Sequence, residues 1–289
     1  MTHLLLLDTS SLAYRAFFAL PSSITDPSGQ PVNAVRGYLD MTAQLVREHR
    51  PDRIIHVFDD DYRPAPRVAA YPGYKAERPD DPEGLPAQFE LLAQVLDALG
   101  AERAVALGWE ADDAIGALCA AAAPDDAVDV VTGDRDLLQL VRDDGPAVRV
   151  LFTVKGVKQL AVFDEAGVLE RYGIPASRYV DYAILRGDPS DGLPGVKGIG
   201  EKTARSLVGA YASLEDLLAD ADAQPPRLAA ALRDSADYLR AMREVVPVRV
   251  DVHVELTRGT RDDAVLAQLA ERHAIENPLR RLQEALDAG

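Results

Sequence analysis

Two aspartates lie just ahead of a glycine-rich segment in the last third of the chain. Asp188 and Asp191 are three residues apart, so both carboxylates can project from one side of a helical turn toward a cation. The segment behind them, residues 194–200, contains three glycines and leads into a predicted helix. Glycines let backbone N–H groups approach a phosphate closely, and the helix N-terminus adds a positive partial charge. A carboxylate pair beside such a phosphate-binding segment suggests hydrolysis of a nucleic acid.

Three short apolar runs elsewhere in the chain each lead to aspartate. Runs of this kind are typical of buried parallel strands, and helical patterns separate them. Ligand sites of open α/β sheets gather beyond the carboxyl ends of the strands, so aspartates far apart in sequence are expected to converge. The runs are residues 3–7, 53–58 and 128–132, and they lead respectively to Asp8, to Asp59, and to Asp134 and Asp136.

A further acidic cluster, Glu110, Asp112 and Asp113, precedes a helix predicted over residues 114–123. Capping and the helix dipole explain part of this cluster, and any one aspartate alone is explained by a cap or a turn. Five separate acidic positions at strand ends or helix starts instead indicate one shared site. The sequence thus predicts nine converging carboxylates: Asp8, Asp59, Glu110, Asp112, Asp113, Asp134, Asp136, Asp188 and Asp191.

Such a cluster requires cations, because closely packed carboxylates raise one another's pKa and repel. Oxygen ligands favour Mg²⁺ or Mn²⁺ over zinc, which would prefer Cys or His ligands. Two hard cations about 3.5–4 Å apart form a template for in-line phosphodiester hydrolysis. The predicted cofactors are therefore two Mg²⁺ or Mn²⁺ ions.

Six motifs resemble those of the 5′-nuclease family and occur along the chain in the family's order. The family includes the N-terminal domain of bacterial DNA polymerase I, phage 5′-exonucleases and flap endonucleases. The resemblance covers roughly residues 4–210. It implies a PIN-like α/β fold: a mixed, mainly parallel sheet flanked by helices, with a helical arch and a helix-three-turn-helix DNA-binding subdomain. It also implies structure-specific 5′-3′ exonuclease and 5′-flap endonuclease activity in replication and repair. The motifs are residues 12–15, 58–59, 74–78, 110–113, 133–136 and 187–204.

The resemblance also assigns metal-binding roles to the nine acids. Asp8, Asp59 and Asp112 resemble ligands of the first metal, with Glu110 nearby and Asp112 at the family's bridging position. Asp134, Asp136 and Asp191 resemble ligands of the second metal. Asp113 and Asp188 resemble outer or shared ligands.

Contacts with DNA follow from the same resemblance. Lys75 and Arg78 resemble the basic pair at the scissile phosphate, and Tyr74 resembles an aromatic that stacks on a base. Arg67 resembles an arch residue that binds phosphate. A K⁺ ion held by carbonyls at Val196 and Ile199 is implied at the hairpin. The remaining expected DNA contacts are Arg15, Lys197, Gly198, Gly200 and Lys202.

Three features depart from the family pattern. Thr9 follows the first aspartate, where the family usually has glycine, and Gly192 stands where asparagine is usual. The second strand ends in a run of three aspartates, so the entry to the arch is one residue longer than usual. These departures affect the expected geometry of the arch and of the surroundings of Asp59, but they remove no predicted ligand.

The formal net charge of −16 is unusual for a protein that binds nucleic acid, and −7 would remain without the nine predicted site acids. DNA contacts must therefore come from local basic patches. Three of the five lysines lie in the two phosphate-binding motifs. The other two, Lys155 and Lys158, are expected at the surface of a hairpin and not at DNA.

We expect a nuclease core over residues 1–175, with an arch segment at about 63–86, and a second part over 176–289 that holds the hairpin and C-terminal helices. Hydrophobic residues make up 47% of the chain, which is typical of globular proteins. Cys119 is expected in the core, and the absence of a signal peptide or an 18-residue apolar run predicts a cytoplasmic protein without membrane contact. We expect a free-standing monomer that binds 5′ flaps, nicks or 5′ ends and acts together with a DNA polymerase and a ligase.

Two alternatives share much of this pattern. A non-catalytic DNA-junction binder would keep the fold without turnover, although all nine acids are present. A PIN-type ribonuclease has acids at strand ends but lacks the hairpin of residues 187–204. The sequence does not fit a third class, the phosphatases of the haloacid dehalogenase type, because these would need a second aspartate two residues after Asp8, where the chain has Ser10.

Overall fold

The computed structural model of the protein describes residues 2–288, which form seven strands in one mixed sheet with helices on both faces. The strands are β1 (His3–Asp8), β2 (Arg53–Phe58), β3 (Glu102–Val105), β4 (Ala127–Thr132), β5 (Ala147–Thr153), β6 (Leu160–Phe163) and β7 (Glu255–Arg258). Their spatial order is β6-β5-β4-β1-β2-β3-β7. The five central strands are parallel, while β6 and β7 pair antiparallel at the two edges. The predicted fold class is confirmed.

Helices connect and cover the strands. In chain order they are α1 (Thr9–Ala19), α2 (Asn33–His49), α3 (Ala65–Ala70), α4 (Leu85–Ala98), α5 (Ala111–Ala121), α6 (Glu165–Tyr172), α7 (Tyr179–Arg186), α8 (Glu201–Ala210), α9 (Leu214–Ala219), α10 (Pro226–Asp234), α11 (Ala236–Val245), α12 (Asp263–His273) and α13 (Glu276–Asp287). Short 3₁₀ turns occur at Asp136–Leu140, Ala176–Arg178, Pro189–Asp191 and Ala221–Ala223. No helix within residues 2–288 has the length and apolar character needed to cross a membrane.

The continuous apolar run of β1 is explained by burial on both faces of the sheet. Leu4 and Leu6 belong to one core cluster, whereas Leu5 and Leu7 belong to the cluster on the opposite face. Side chains of a strand alternate between faces, so a central parallel strand needs apolar residues at every position. β1 therefore lies at the centre of the fold, and its carboxyl end is fixed from both sides.

α5 begins three residues earlier than the sequence predicted, because Glu110 caps it. The side chain of Glu110 accepts the N–H of Asp113, and the carboxylate of Asp113 accepts the N–H of Glu110 at 3.4 Å. This reciprocal pair is a capping box. The early start places Asp112 inside the first turn of the helix, directly beside the carboxyl ends of β1 and β2.

The segment between β2 and α4 corresponds to the predicted arch. It contains α3, followed by turns from Tyr71 onward. The part of this segment from α3 to Lys75, here called the arch base, lies against the start of the glycine-rich hairpin. The N–H of Lys75 donates to the carbonyl of Asp191 at 2.9 Å. A Cβ on Gly192 would lie 2.5 Å from the carbonyl oxygen of Gly73, so glycine is required there. The departure from asparagine at position 192 therefore has a steric reason in this chain.

α13 lies against α2, with Leu279 and Leu282 in the same core cluster as Leu39. An ion pair supports this packing, because Arg281 donates to both carboxylate oxygens of Asp40, at 2.7 and 3.0 Å. The C-terminal helix thus packs on α2 and covers that face of the fold.

Candidate active site

A cavity of about 1360 Å³ opens at the carboxyl edge of the parallel strands. Acidic and basic side chains meet there, although they come from distant parts of the sequence. The aspartates and glutamate in its lining that the sequence predicted as site acids are Asp8, Asp59, Glu110, Asp112 and Asp134. The predicted basic residues in its lining are Arg15, Lys75 and Arg78.

Asp8 is held at the junction of β1 and α1. Its carboxylate accepts the N–H of Ser11 at 3.1 Å, as the N-cap of α1, and the hydroxyl of Thr132 at 2.6 Å. Asp59 follows β2, and its carboxylate accepts the N–H of Ala111 at 2.8 Å. Both aspartates are therefore positioned by bonds across the carboxyl edge of the sheet.

The acids that follow β4 and those ahead of the hairpin form the other part of the site. The N–H of Asp136 donates to the carboxylate of Asp134 at 2.8 Å, which fixes the turn after β4. Asp188 accepts the N–H of Ser190 and pairs with Arg186 at 3.4 Å. Asp191 lies 3.7 Å from the ammonium of Lys75.

Burial and mutual repulsion raise the pKa of four of these carboxyls. Burial, with Asp59 and Asp134 nearby, raises the pKa of Asp8 to about 7. Burial and the charges of Asp134 and Asp8 raise the pKa of Asp112 well above its usual value. Burial likewise raises the pKa of Asp136, together with Asp134 and Asp191, and raises that of Asp191 to about 6. Asp134 thus acts electrostatically on Asp8, Asp112, Asp136 and Asp191, so these five of the nine predicted acids lie close together in the fold.

The chemistry of this donor set suits hard cations. The clustered ligand atoms are carboxylate oxygens, and the pKa shifts show that their ionised forms repel one another. Among residues 2–288, no three His, Cys, Asp or Glu side chains already have the geometry to hold a metal ion. Mg²⁺ fits such a site, because it is usually bound by one or two carboxylates together with waters and substrate phosphates. The carboxylate oxygens of this site therefore fit hard divalent cations.

Glu110 is engaged by three neighbours from the arch segment. The ammonium of Lys75 and the guanidinium of Arg67 pair with its carboxylate, and the hydroxyl of Tyr74 donates to it at 2.7 Å. Burial lowers the pKa of Lys75, but Glu110 and Asp191 outweigh this and hold it well above its usual value. Lys75 is therefore a cation within reach of the carboxylate site.

Arg67 and Tyr74 differ from the roles that the sequence suggested. Arg67 was expected at a phosphate, but only 3% of its surface is exposed and its two terminal guanidinium nitrogens each donate to Asp113 at 2.7 Å. Tyr74 was expected to stack on a base, but it is 5% exposed and its hydroxyl is committed to Glu110. In this structure both residues join the arch base to the first turn of α5 and offer no open face to DNA.

Asp113 also differs from the expectation of an outer or shared metal ligand. Its side chain is fully buried, and besides Arg67 it accepts the N–H of Arg249 at 2.9 Å. A buried carboxylate paired with an arginine on one side and a backbone amide on the other has its acceptor sites filled. The structure therefore gives Asp113 a structural contact between the arch, α5 and the segment after α11.

Arg78 and Arg15 line the cavity. Arg78 is exposed, and its N–H donates to the carbonyl of Lys75 at 3.3 Å. Lys75 has a φ of 50°, and Lys75 and Arg78 lie at and just after a turn. Arg15 donates to the carbonyl of Gly133 at 3.2 Å, and a Cβ at Gly133 would lie 2.1 Å from its Nε. Glycine at position 133 thus makes room for this arginine beside Asp8 and Asp134.

The glycine-rich hairpin is anchored by two buried side chains. Val196 and Ile199 are 2% and 5% exposed, and the N–H of Ile199 donates to the carbonyl of Val196 at 2.9 Å. Gly198 between them has a φ of 83°, in the left-handed region. The other residues expected at DNA here are exposed: Lys197, Gly200 and Lys202.

Lys155 and Lys158 were expected at the surface of a hairpin and not at DNA. They do lie between the antiparallel strands β5 and β6. However, the cavity that contains the carboxylates is also lined by both lysines. β5 neighbours β4, so the loop that follows it reaches the same edge of the sheet. Only the pairing of β5 with β4 reveals this.

Sequence reasoning also missed Thr132, whose hydroxyl contacts Asp8. The one available signal was its position as the last residue of a strand that leads into an acidic turn. A hydroxyl at such a position is commonly a cap or a turn residue, so the sequence alone gave no reason to single it out.

Comparisons with known proteins agree with this fold. Residues 3–173 match the protein family described as "5'-3' exonuclease, N-terminal resolvase-like domain". Residues 174–269 match the family described as "5'-3' exonuclease, C-terminal SAM fold". A 5′-3′ exonuclease of Streptomyces coelicolor is 45% identical over 304 residues, covering 98% of this chain and 100% of that protein. A DNA polymerase I of Mycobacterium bovis is 42% identical over 259 residues, covering 89% of this chain and 28% of the polymerase.

A solved structure with the same fold is the bacteriophage T5 flap endonuclease in a complex with DNA and metal ions. It has a TM-score of 0.65 and 16% sequence identity, and the match covers 99% of this chain and 98% of that chain. The whole-length similarity to the Streptomyces coelicolor protein shows that the chain belongs to the 5′-3′ exonuclease family and is a nuclease, that is, a phosphodiester hydrolase.

Proposed function

We propose that the protein cuts DNA at 5′ flaps and 5′ ends by a mechanism that uses two Mg²⁺ or Mn²⁺ ions. The observation that carries this proposal is the convergence of Asp8, Asp59, Asp112 and Asp134 on one cavity beside Lys75. The repulsion among these acids is relieved when cations bind, and the T5 flap endonuclease with the same fold was crystallised with DNA and metal ions. Bound cations would supply an activated water and stabilise charge on the scissile phosphate.

The residues of the chain divide this work among them. Asp8, Asp59 and Asp112 would hold one cation, and Asp134, Asp136 and Asp191 the other. Lys75 and Arg78 would bind and orient the scissile phosphate. The ammonium of Lys75 now pairs with Glu110 and Asp191, so an entering phosphate exchanges one set of anionic partners for another. Lys75 thereby remains charged and in place throughout.

Chelation provides the direct test of the metal requirement. EDTA is expected to abolish cleavage of a labelled 5′-flap duplex, and excess Mg²⁺ or Mn²⁺ should restore it, because oxygen ligands favour hard cations. Zinc is not expected to replace Mg²⁺. Cleavage that persists after complete chelation would refute the two-metal proposal.

The glycine-rich hairpin would bind the duplex beside the cut. In this proposal the carbonyls of Val196 and Ile199 hold a K⁺ ion that contacts a DNA phosphate, while Lys197 and Lys202 add side-chain charge. Burial of the Val196 and Ile199 side chains fixes the main chain between them, which supports such a role. A bound cation would give a strongly acidic protein a phosphate contact that requires few basic residues.

Flap binding is expected to be tighter in K⁺ than in Na⁺ or Li⁺ at equal ionic strength. Gly198→Val should remove this preference, because the φ of 83° is strained for a β-branched residue although no atom lies within 4 Å of the new Cβ. Gly209→Ala in α8 is the control, since its Cβ also meets nothing within 4 Å and its backbone is helical. Fluorescence anisotropy with a labelled flap measures the affinity of the wild type and of both variants in each salt. Equal affinities of the wild type in the three salts would contradict the K⁺ site.

Cellular context is a further part of the proposal. We propose a cytoplasmic monomer that works in replication and repair beside a DNA polymerase and a ligase. The Mycobacterium bovis relative carries its matching segment inside a DNA polymerase I, which supports the link to a polymerase. A pull-down of polymerase with the purified protein would test that link.

A further inference from the structure

Thr132 occupies a central place between the two acidic parts of the cavity. It is the last residue of β4, and its side chain is fully buried. Its hydroxyl donates to the carboxylate of Asp8 at 2.6 Å and accepts the N–H of Asp134 at 2.9 Å. One hydroxyl therefore contacts the end of β1 on one side and the turn after β4 on the other.

The direction of these bonds is fixed by the chemistry of the groups. A hydroxyl has a single proton to donate, and the backbone N–H of Asp134 can only donate to it. The proton of Thr132 is therefore committed to Asp8. A second contact runs in parallel, because the N–H of Gly133 donates to the hydroxyl of Ser11 at 3.0 Å and the N–H of Ser11 donates to Asp8. Asp8 and Asp134 are thus tied together by two short paths.

We propose that Thr132 is a positioning residue that sets the separation and orientation of the Asp8 and Asp134 carboxylates for divalent cations. This inference rests on the proposed function, in which these two aspartates serve different cations. A hydroxyl that bonds both the Asp8 carboxylate and the main chain of Asp134 can hold the two halves of the site at one spacing. Partners of metal ligands typically change metal affinity or activity by about 10–100-fold when they are removed.

Thr153 provides a matched control on the neighbouring strand. It is also a buried threonine at the end of its strand, and its hydroxyl donates to the main-chain carbonyl of Thr132 at 3.1 Å. Its bond is to main chain and not to a carboxylate. Thr→Val is nearly isosteric at both positions, so the two variants lose the same atom type but only one loses its contact with Asp8.

The test is Mn²⁺ binding to the DNA-free protein by isothermal titration calorimetry. Thr132→Val should weaken Mn²⁺ binding by about 10–100-fold, whereas Thr153→Val and Thr132→Ser should bind as the wild type does. In flap cleavage, Thr132→Val should need more Mg²⁺ for half-maximal rate and recover much of its rate at high Mg²⁺. Thermal unfolding of each variant checks that the fold is retained.

Each result decides the inference. Equal Mn²⁺ affinity in Thr132→Val and Thr153→Val would overturn it, and so would a weakened Thr132→Ser, because the hydroxyl is kept there. If Thr132→Val does not fold, the Thr132→Ser and wild-type affinities still decide, since a loss in the serine variant contradicts a role of the hydroxyl. A wild-type protein that neither binds Mn²⁺ nor cuts in Mg²⁺ would overturn the proposed function together with this inference.

Discussion

Asp136→Ala is expected to lower the rate of flap cleavage by orders of magnitude while DNA binding persists or becomes tighter. Asp136 would be a ligand of one cation, so its loss removes charge stabilisation at the scissile phosphate. Burial together with Asp134 and Asp191 raises its pKa, which means that removing this carboxyl also relieves repulsion in the site. Asp134→Ala should behave in the same way. Single-turnover rates and anisotropy measured in parallel separate cleavage from binding.

Asp125→Ala is the matched control for these variants. Asp125 is exposed just ahead of the amino end of β4, at the opposite end of the strand from the site. It should cut and bind as the wild type does. Near wild-type cleavage by both Asp134→Ala and Asp136→Ala would show that the reacting phosphate lies elsewhere on the protein.

Lys75→Ala is expected to slow the single-turnover rate by about 10²–10³-fold, the effect typical of losing one preorganised charge at a reacting group. Equilibrium binding of the flap should fall much less. Lys75 is 9% exposed and lies beside Glu110 and Asp191, so its charge acts at the carboxylate site and not along the duplex. Rapid-quench cleavage under enzyme excess measures the first quantity, and anisotropy measures the second.

Lys202→Ala is the contrasting variant, because Lys202 is exposed on the first turn of α8 beside the hairpin. It should lose more binding than rate. If Lys75→Ala and Lys202→Ala lost binding and rate in the same proportion, Lys75 would be only a docking cation.

The convergence of the acids could be predicted because it depends on features that a sequence displays. Short apolar runs mark parallel strands, and residues after their carboxyl ends must meet at one edge. The register confirms this, since Leu7 pairs with His56 on one side and with Val131 on the other. Asp8, Asp59 and Asp134 therefore follow strand positions that lie side by side.

The roles of Arg67 and Tyr74 could not be predicted in the same way. Arg67 contacts Asp113, which is 46 residues away, and the carbonyl of Val245, which is 178 residues away. Such contacts depend on how the arch segment lies on α5 and on the chain after α11, and no local pattern encodes that packing. A basic residue in a loop next to a nuclease motif is predicted to contact phosphate, and only the structure shows that its partners are buried.

Lys155, Lys158 and Thr132 show a second limit of prediction from the sequence. Lys155 and Lys158 reach the cavity because β5 pairs with β4, a pairing that the apolar pattern does not specify. Thr132 matters because its hydroxyl lies between the carboxylate of Asp8 and the backbone N–H of Asp134, which tertiary structure brings together. The presence of a strand or a helix can be predicted from the sequence. The hydrogen-bond partners of a single polar group depend on the assembled fold.

The most direct test of the central claim is the position of the cut in a duplex that carries a labelled 5′ flap. In Mg²⁺ the protein is expected to release the flap by hydrolysis at or near the junction, and the same substrate should remain intact in EDTA. A protein that binds the junction tightly but never cuts in Mg²⁺ would instead be a non-catalytic binder. Cleavage confined to single-stranded RNA would indicate a PIN-type ribonuclease, and either result would contradict metal-dependent cutting of 5′ flaps by this protein.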